Sequence, residues 1–413
     1  MITRKTIHLK ADPKKVLMQF FYPGSDARVI RIIKRVISLS EVQAEKELTV
    51  VMKQYAGRHR KFNERLLENF RQIEPLIPLE GHLSENKKLL AGAYFSKEYS
   101  IESAALFNPS IVRHPDQSGV NENEVRFIIS LRAAGEGHIS SVVFRTGKAD
   151  SDGNIRLDEE SGFIQQGRLA NINAQTYSVI FDESVPLQER VLFPQTQTES
   201  NGMEDARFVK LEEEDLYAAT YTAYNGHSIS IQMIETRDFR EFKIFPLEGK
   251  ESKDKGMALF PRRINGLYTM ISRQDGENIY IMQSENRHVW NSRKLLRTPQ
   301  LPWEFVQLGN CGSPIETKEG WLLMTHAVGP FRSYSISALL LDKEDPSRVK
   351  GYLPEPLIEA DENEREGYVP NVVYSCGSII TGEQVIIPYA MSDSSSGFAV
   401  IPEKELLSMF IRT

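Results

Sequence analysis

Residues 202–224 read GMEDARFVKLEEEDLYAATYTAY: a Gly-marked segment, an acidic turn at Glu212–Asp215, then an apolar strand from Leu216. The unit returns as GMALFPRRINGLYTMISRQ from Gly256, GSPIETKEGWLLMTHAVG from Gly312 and VPNVVYSCGSIITGEQVIIPYAMSD from Val369. Its second-strand anchors Leu216, Leu267, Trp321 and Val385 stand about 50 to 65 residues apart. Hairpins such as SISIQMIETRDFREFKIF fill the intervals, giving about four strands per period, as in a propeller blade. A fifth, earlier copy is FNPSIVRHPDQSGVNENEVRFIISLRAAG from Phe107, followed by GHISSVVFRTG; an insertion around Asp150–Thr198 separates it from Asp205. These spacings predict an all-β chain, a five-bladed β-propeller over residues 91–413. A β-sandwich is the competitor, but its strands would not recur in fours with matching turns.

Residues 1–90 have another texture and read as an N-terminal α-helical extension. Between Asp26 and Ile73 apolar residues fall at helical spacing, broken near Ser38–Ser40 and at Gly57, which predicts two or three amphipathic helices. Ser40 followed by Gln43 suits a capping box. The many Lys and Arg residues here read as a solvated helix face. Oligomer contacts, or a lid over one mouth of the channel, are the roles expected of this block.

Composition narrows the function classes. A net charge of −6 over 413 residues points away from nucleic acid and anionic membrane as partners. No apolar run reaches the length of a spanning helix, and MITRKTIHLKADPKK lacks the apolar stretch of a secretory signal. Two cysteines are too few for a disulfide framework, and the eight histidines are scattered without metal-ligand spacing. The expectation is a cytoplasmic protein with no metal and no cofactor.

In a propeller the first strand of each blade lines the central channel. Here those strands carry Asn108, Glu204, Asp205, Arg207, Lys255, Arg262, Arg263, Ser313 and Asn371, and the second strands add Arg132, Arg273, His326 and Asp393. Polar side chains converging on an axis, with Asp, Arg, Lys and His among them, suit a polyhydroxylated ligand that could itself bear phosphate. Tyr221, Tyr224, Trp321 and Tyr368 could stack on sugar faces, although packing between blades is the commoner fate of such rings.

GMEDARFVK with YTAY, KGMALFPRRINGLY, GSPIETKEGWLLMTHAVGP, YVPNVVYSCGSII and PYAMSD resemble, in order, the motifs of glycoside hydrolase family 130; FNPSIV with LRAAGEGHISSVVFRTG resembles its first-blade motif. The resemblance spans roughly Tyr94 to Val400 and leaves out the N-terminal helices. It implies a five-bladed β-propeller and an inverting β-mannoside phosphorylase, which transfers mannose to inorganic phosphate and yields α-mannose 1-phosphate. The alternative it implies is an inverting exo-β-1,2-mannosidase; a non-catalytic sugar-binding propeller is a third reading from another class.

By that resemblance Asp205 is the general acid, passing its proton through the 3-hydroxyl of the bound mannose. Phosphate is already an anionic nucleophile, so a second carboxylate to activate water is not needed. To be protonated near neutrality Asp205 would need a raised pKa, from Glu204 or from burial. The resemblance places Lys255, Arg273, Gln307 and His326 around phosphate, with Gln307 where phosphorylases tend to carry Lys. It places Asn108, Arg132 and Asp393 on the mannose hydroxyls. Glu204, Arg207 and His138 join them as substrate-binding candidates, His138 equally readable as a packed strand histidine. The family's hydrolases put glutamates among the phosphate positions. None stands there in this chain, although Glu304 and Glu316 lie close in sequence.

Overall fold

A computed structural model describes residues 2–77, 83–173 and 175–413 of the chain. Two compact units are present. The larger comprises the residues up to Ala11 together with Ser103–Glu160 and Gln166–Thr413; the smaller comprises Asp12–Glu102 and Ser161–Gln165.

The larger unit is all-β in plan, with only short helical pieces. Five antiparallel meanders follow one another. The first uses strands Ala105–Arg113, Glu124–Ala134, Ser140–Asp150 and Ile155–Leu157. The second uses Gly202–Leu211, Leu216–Tyr224, Ile229–Thr236 and Glu241–Pro246. The third runs through Lys255–Leu259, Tyr268–Arg273, Ile279–Ser284 and Lys294–Arg297. In the fourth, Gln307–Asn310 and Ile315–Glu316 share the first position, before Trp321–Val328, Tyr334–Leu341 and Val349–Tyr352. The fifth begins with Val373–Tyr374 and Ile379–Thr381, continues through Gln384–Met391 and Ser395–Pro402, and takes its last strand from the start of the chain, where Thr3 pairs with Val400.

Packing explains why the second strands read as unbroken apolar runs. Leu216–Ala223 and Trp321–Val328 are buried along their length because both faces are covered. Phe144 and Val112 of the first meander pack with Phe208 and Phe242 of the second. Leu216 and Met233 meet Met257 and Met270 of the third. Phe260 and Ile271 meet Trp321 and Leu339 of the fourth, and Leu322 and Ile336 meet Val385 and Ile401 of the fifth. Ala390 of the fifth packs with Ala105 and Phe107 of the first. Trp321 is therefore core, its Nε1 donating to the Lys343 carbonyl, and Tyr221 is core too, its hydroxyl donating to buried Glu199. The insertion between the first and second meanders adds Arg168–Ala170 and Tyr177–Ile180 to the outer edge of the second.

The smaller unit holds four α-helices, Asp26–Ser38, Glu41–Tyr55, Phe62–Ile73 and Glu85–Tyr94. Sequence periodicity located the first three; the fourth, short and rich in Ala and Gly, carries little periodic signal. The capping box forms: Gln43 N–H donates to Ser40 Oγ at 3.2 Å, and Ser40 N–H to Gln43 Oε1 at 2.9 Å. The last two helices touch at Gly92, where a Cβ would stand 2.0 Å from the Leu66 carbonyl oxygen, so only glycine fits. A strand, Val16–Phe20, pairs with Ser96–Ser100. VLMQF does not alternate, so its period could not reveal it. Among the described residues no helix is long and apolar enough to cross a membrane.

Candidate active site

One backbone device recurs in the first strands of three meanders. Register slips between Phe107 and Ser110, between Glu204 and Arg207, and between Lys255 and Ala258. The residue that follows the first of each pair has positive φ: Asn108 at 50°, Asp205 at 56° and Gly256 at 78°. Asn, Asp and Gly are the residues that occupy this region at least cost. Such β-bulges re-aim side chains. Here they turn Asn108 and Asp205 toward each other, with Asn108 Nδ2 donating to Asp205 Oδ1 at 2.7 Å.

Arg132 holds both acids of the Glu-Asp pair. Its Nη2 lies 2.7 Å from Glu204 Oε1 and its Nη1 3.3 Å from Asp205 Oδ1. Lys255 Nζ reaches the other Glu204 oxygen at 3.1 Å. Arg207 turns back to the Asp205 carbonyl at 3.1 Å and reaches the Tyr374 hydroxyl at 2.5 Å. The expected raised pKa of Asp205 is corrected by this geometry. Burial does push its carboxyl up, but Arg132, Arg207, the Asn108 amide and Lys255 outweigh it and hold the carboxyl below its ordinary value. Glu204 is engaged with two cations and does not act as the like charge that would raise it. The carboxyl that is pushed up is Asp393, to about 6, by burial first and by the charge of Asp205 second.

A second group sits beside the first. Lys255 is the register partner of Arg273, whose Nη1 lies 3.2 Å from His326 Nε2. His326 Nδ1 lies 3.1 Å from the Asn310 carbonyl oxygen, an acceptor only, so Nδ1 carries the proton and Nε2 accepts from Arg273. Burial, Arg273 and Arg207 push the imidazole well below its ordinary pKa. His326 is thus neutral, which corrects its place among the cations. Gln307 fits best with its amide turned so that the oxygen accepts from Arg273 and the nitrogen donates to the Gly276 carbonyl at 3.1 Å. The Tyr374 ring, 4.8 Å from His326, joins this group to Arg207 and so to Asp205.

Other expected residues fall elsewhere. Arg262 and Arg263 leave the inner strand at a turn: Arg262 pairs with Glu316 at 2.8 Å, and Arg263 Nη2 donates to the Tyr268 hydroxyl at 2.7 Å. Glu316 is held down to about 2 by Arg262 and Lys343. Glu304 is buried in a 3-10 turn, accepting from Gln300 N–H, Leu301 N–H and Arg297. Neither glutamate is available as a base. His138 is exposed on the turn between the second and third strands of the first meander, its ring 5.6 Å from that of Tyr368. A cavity of about 780 Å³ opens at the opposite ends of the meanders' first strands, among Arg113, Lys210 and Ser313, away from these groups. Sequence reasoning missed Tyr374, because one tyrosine in a two-residue strand has no pattern to mark it.

An all-β scaffold bearing these groups defines an enzyme of the glycoside phosphorylase type or a closely related glycosidase. A family model described as β-1,4-mannooligosaccharide phosphorylase matches residues 178–412, more than half the chain. A 1,2-β-oligomannan phosphorylase from a Thermoanaerobacter species is 33% identical over 225 residues, covering 53% of this chain and 75% of its own. The chain belongs to glycoside hydrolase family 130. Solved structures that share its fold include the following two. A β-1,2-mannobiose phosphorylase from Listeria innocua, in complex with β-1,2-mannobiose, has a TM-score of 0.54 at 19% identity, over 75% of this chain and 92% of that one. A family-130 structure whose subject is glycoside hydrolases targeting β-1,2 mannosidic linkages in Candida mannan has a TM-score of 0.55 at 19% identity, over 75% and 87%. The fold alone does not separate phosphorolysis from hydrolysis.

Proposed function

We propose that this chain is an inverting β-mannoside phosphorylase acting at one mouth of a five-bladed β-propeller. The cyclic packing, each meander on the next and the fifth on the first, supports the propeller. So does the strand from the chain's start that completes the fifth meander, a common way of closing such a ring. In this reading the meanders form the catalytic domain and the helical unit an accessory one, a cytoplasmic enzyme whose helices could also carry oligomer contacts.

The observation that carries the function is the Asp205 carboxyl, in contact through Arg207 and Tyr374 with the Arg273–His326 pair, while Glu304 and Glu316 are both tied up in pairs of their own. Asp205 delivers a proton toward the glycosidic oxygen. A phosphate oxygen attacks the anomeric carbon from the other face; the C1–O bond to the leaving sugar breaks, a C1–O bond to phosphorus forms, and the proton ends on the leaving sugar. Inversion of a β-mannoside then gives α-mannose 1-phosphate. Lys255, Arg273 and Gln307 hold the phosphate, with neutral His326 orienting Arg273. Asn108, Arg132, Glu204, Arg207, Asp393 and His138 face the sugar. An anion beside Arg207 and Lys255 offsets the charges that keep Asp205 ionised, so phosphate binding itself raises the acid's affinity for its proton.

The relatives' names support a mannoside substrate but differ in linkage, 1,2 in some and 1,4 in another. Product analysis of β-1,2-, β-1,3- and β-1,4-mannobiose with and without phosphate is the test. Phosphate-dependent release of α-mannose 1-phosphate is expected; turnover that ignores phosphate and yields only free mannose would overturn the reading.

A further inference from the structure

We infer that Tyr374 is a phosphate-binding residue whose hydroxyl donates a hydrogen bond to a non-attacking oxygen of the nucleophile. The inference rests on the phosphorylase reading above and deepens it.

Tyr374 stands on the first strand of the fifth meander, yet its hydroxyl reaches Arg207 on the first strand of the second. Its ring lies 4.8 Å from His326 and 6.4 Å from Tyr334, both of the fourth. It is half-buried, so one part of it stays accessible. A phenol has one hydrogen, and its oxygen already accepts from Arg207 Nη2 at 2.5 Å, so the hydrogen must point elsewhere. No acceptor for it is present among the described residues.

Two neighbours share that condition. Arg207 Nε and Arg273 Nε are buried and have no acceptor among the described residues. His326 Nε2, the lone-pair atom nearby, already accepts from Arg273. Three donors on three different meanders are thus left without acceptors around one ring. A neutral sugar hydroxyl brings donors as well as acceptors. An oxyanion, whose acceptor oxygens outnumber its donors, suits the group better, and inorganic phosphate is the anion that the proposed reaction requires. Arg207 would then brace the phenol and touch the acid's backbone at once, holding nucleophile and acid in one frame.

Titration calorimetry of inorganic phosphate into the full-length wild type and Tyr374→Phe, with mannobiose binding to Asp205→Asn backgrounds of both as control, tests this. Loss of a hydrogen bond to a charged group predicts phosphate binding weaker by roughly tenfold or more, with mannobiose affinity nearly unchanged and a modest fall in melting temperature, because Arg207 Nη2 loses its acceptor. Phosphate affinity within twofold of wild type would overturn it. So would equal weakening for sugar and phosphate, which is what a purely structural brace for Arg207 would give. Failure of the phosphorylase reading would show separately, as wild-type turnover indifferent to phosphate.

Discussion

Arg273 Nη1 lies 3.2 Å from His326 Nε2, and that contact decides the charge of the site. A guanidinium can only donate, so Nε2 must present its lone pair, while Nδ1–H is committed to the Asn310 carbonyl. The imidazole is neutral and serves to orient a cation. Nitrogen NMR of histidine-labelled protein should show the neutral Nδ1–H tautomer at pH 6, where an ordinary histidine is mostly charged. A doubly protonated His326 at that pH would contradict the assignment.

Asp205 is a demanding position to test because its φ is 56°. Alanine there adds about 1–2 kcal/mol of backbone strain to the loss of the carboxyl. Asparagine tolerates the conformation and keeps the hydrogen-bonding shape. Asp205→Asn is therefore expected to lower kcat by about 10²–10⁴ while mannobiose binding and melting temperature hold. A variant that retains most of its rate would remove Asp205 as the acid.

Asp393 and Asp205 respond to pH with opposite sign. The folded-state pKa of Asp393, about 6, stands above its unfolded value near 3.9. The folded state then binds a proton that the unfolded chain has released, so this stabilising contribution is present below about pH 4 and fades as pH rises through 6. Asp205, held low, contributes stability above its ordinary pKa and loses it in acid. Thermal unfolding should show Asp393→Asn gaining on wild type between pH 4.5 and 7.5. A constant difference across that range would mean that Asp393 titrates normally.

Glu304 separates hydrolysis from phosphorolysis. Its Oε1 accepts from the Gln300 and Leu301 N–H groups of its turn and from buried Arg297 at the end of the preceding strand. Glu304→Ala should cost roughly 1–3 kcal/mol of stability, seen as a lower denaturant midpoint, because those donors lose their acceptor. The rate per folded molecule should stay within about twofold at a temperature where both proteins are folded. A rate loss of orders of magnitude at full folding would restore Glu304 as a base.

Much of the larger unit was readable before any coordinates. The four-strand period and its second-strand anchors follow from apolar runs and turn residues, which are local properties. The left-handed positions at Asn108, Asp205 and Gly256 emerged only with the backbone, although each is a residue type that accepts positive φ. The candidate site was legible as a set of residue types and motif positions. Its charges were not, because a pKa depends on neighbours brought from other strands. Arg262 and Arg263 illustrate the limit: their motif puts them beside Leu259 on an inner strand, but a turn after Phe260 takes them out to Glu316 and Tyr268.

The sequence by itself determined where the apolar strands and their turns recur and which acid and cations are available, since those follow from side-chain chemistry at fixed spacing. Only the tertiary structure decided that Asp205 is ionised, that His326 is neutral, and that Tyr374 from one sheet meets Arg207 from another. Those outcomes turn on distances between residues 53, 73 and 167 positions apart, and electrostatic and hydrogen-bond energies exist only once such distances are set.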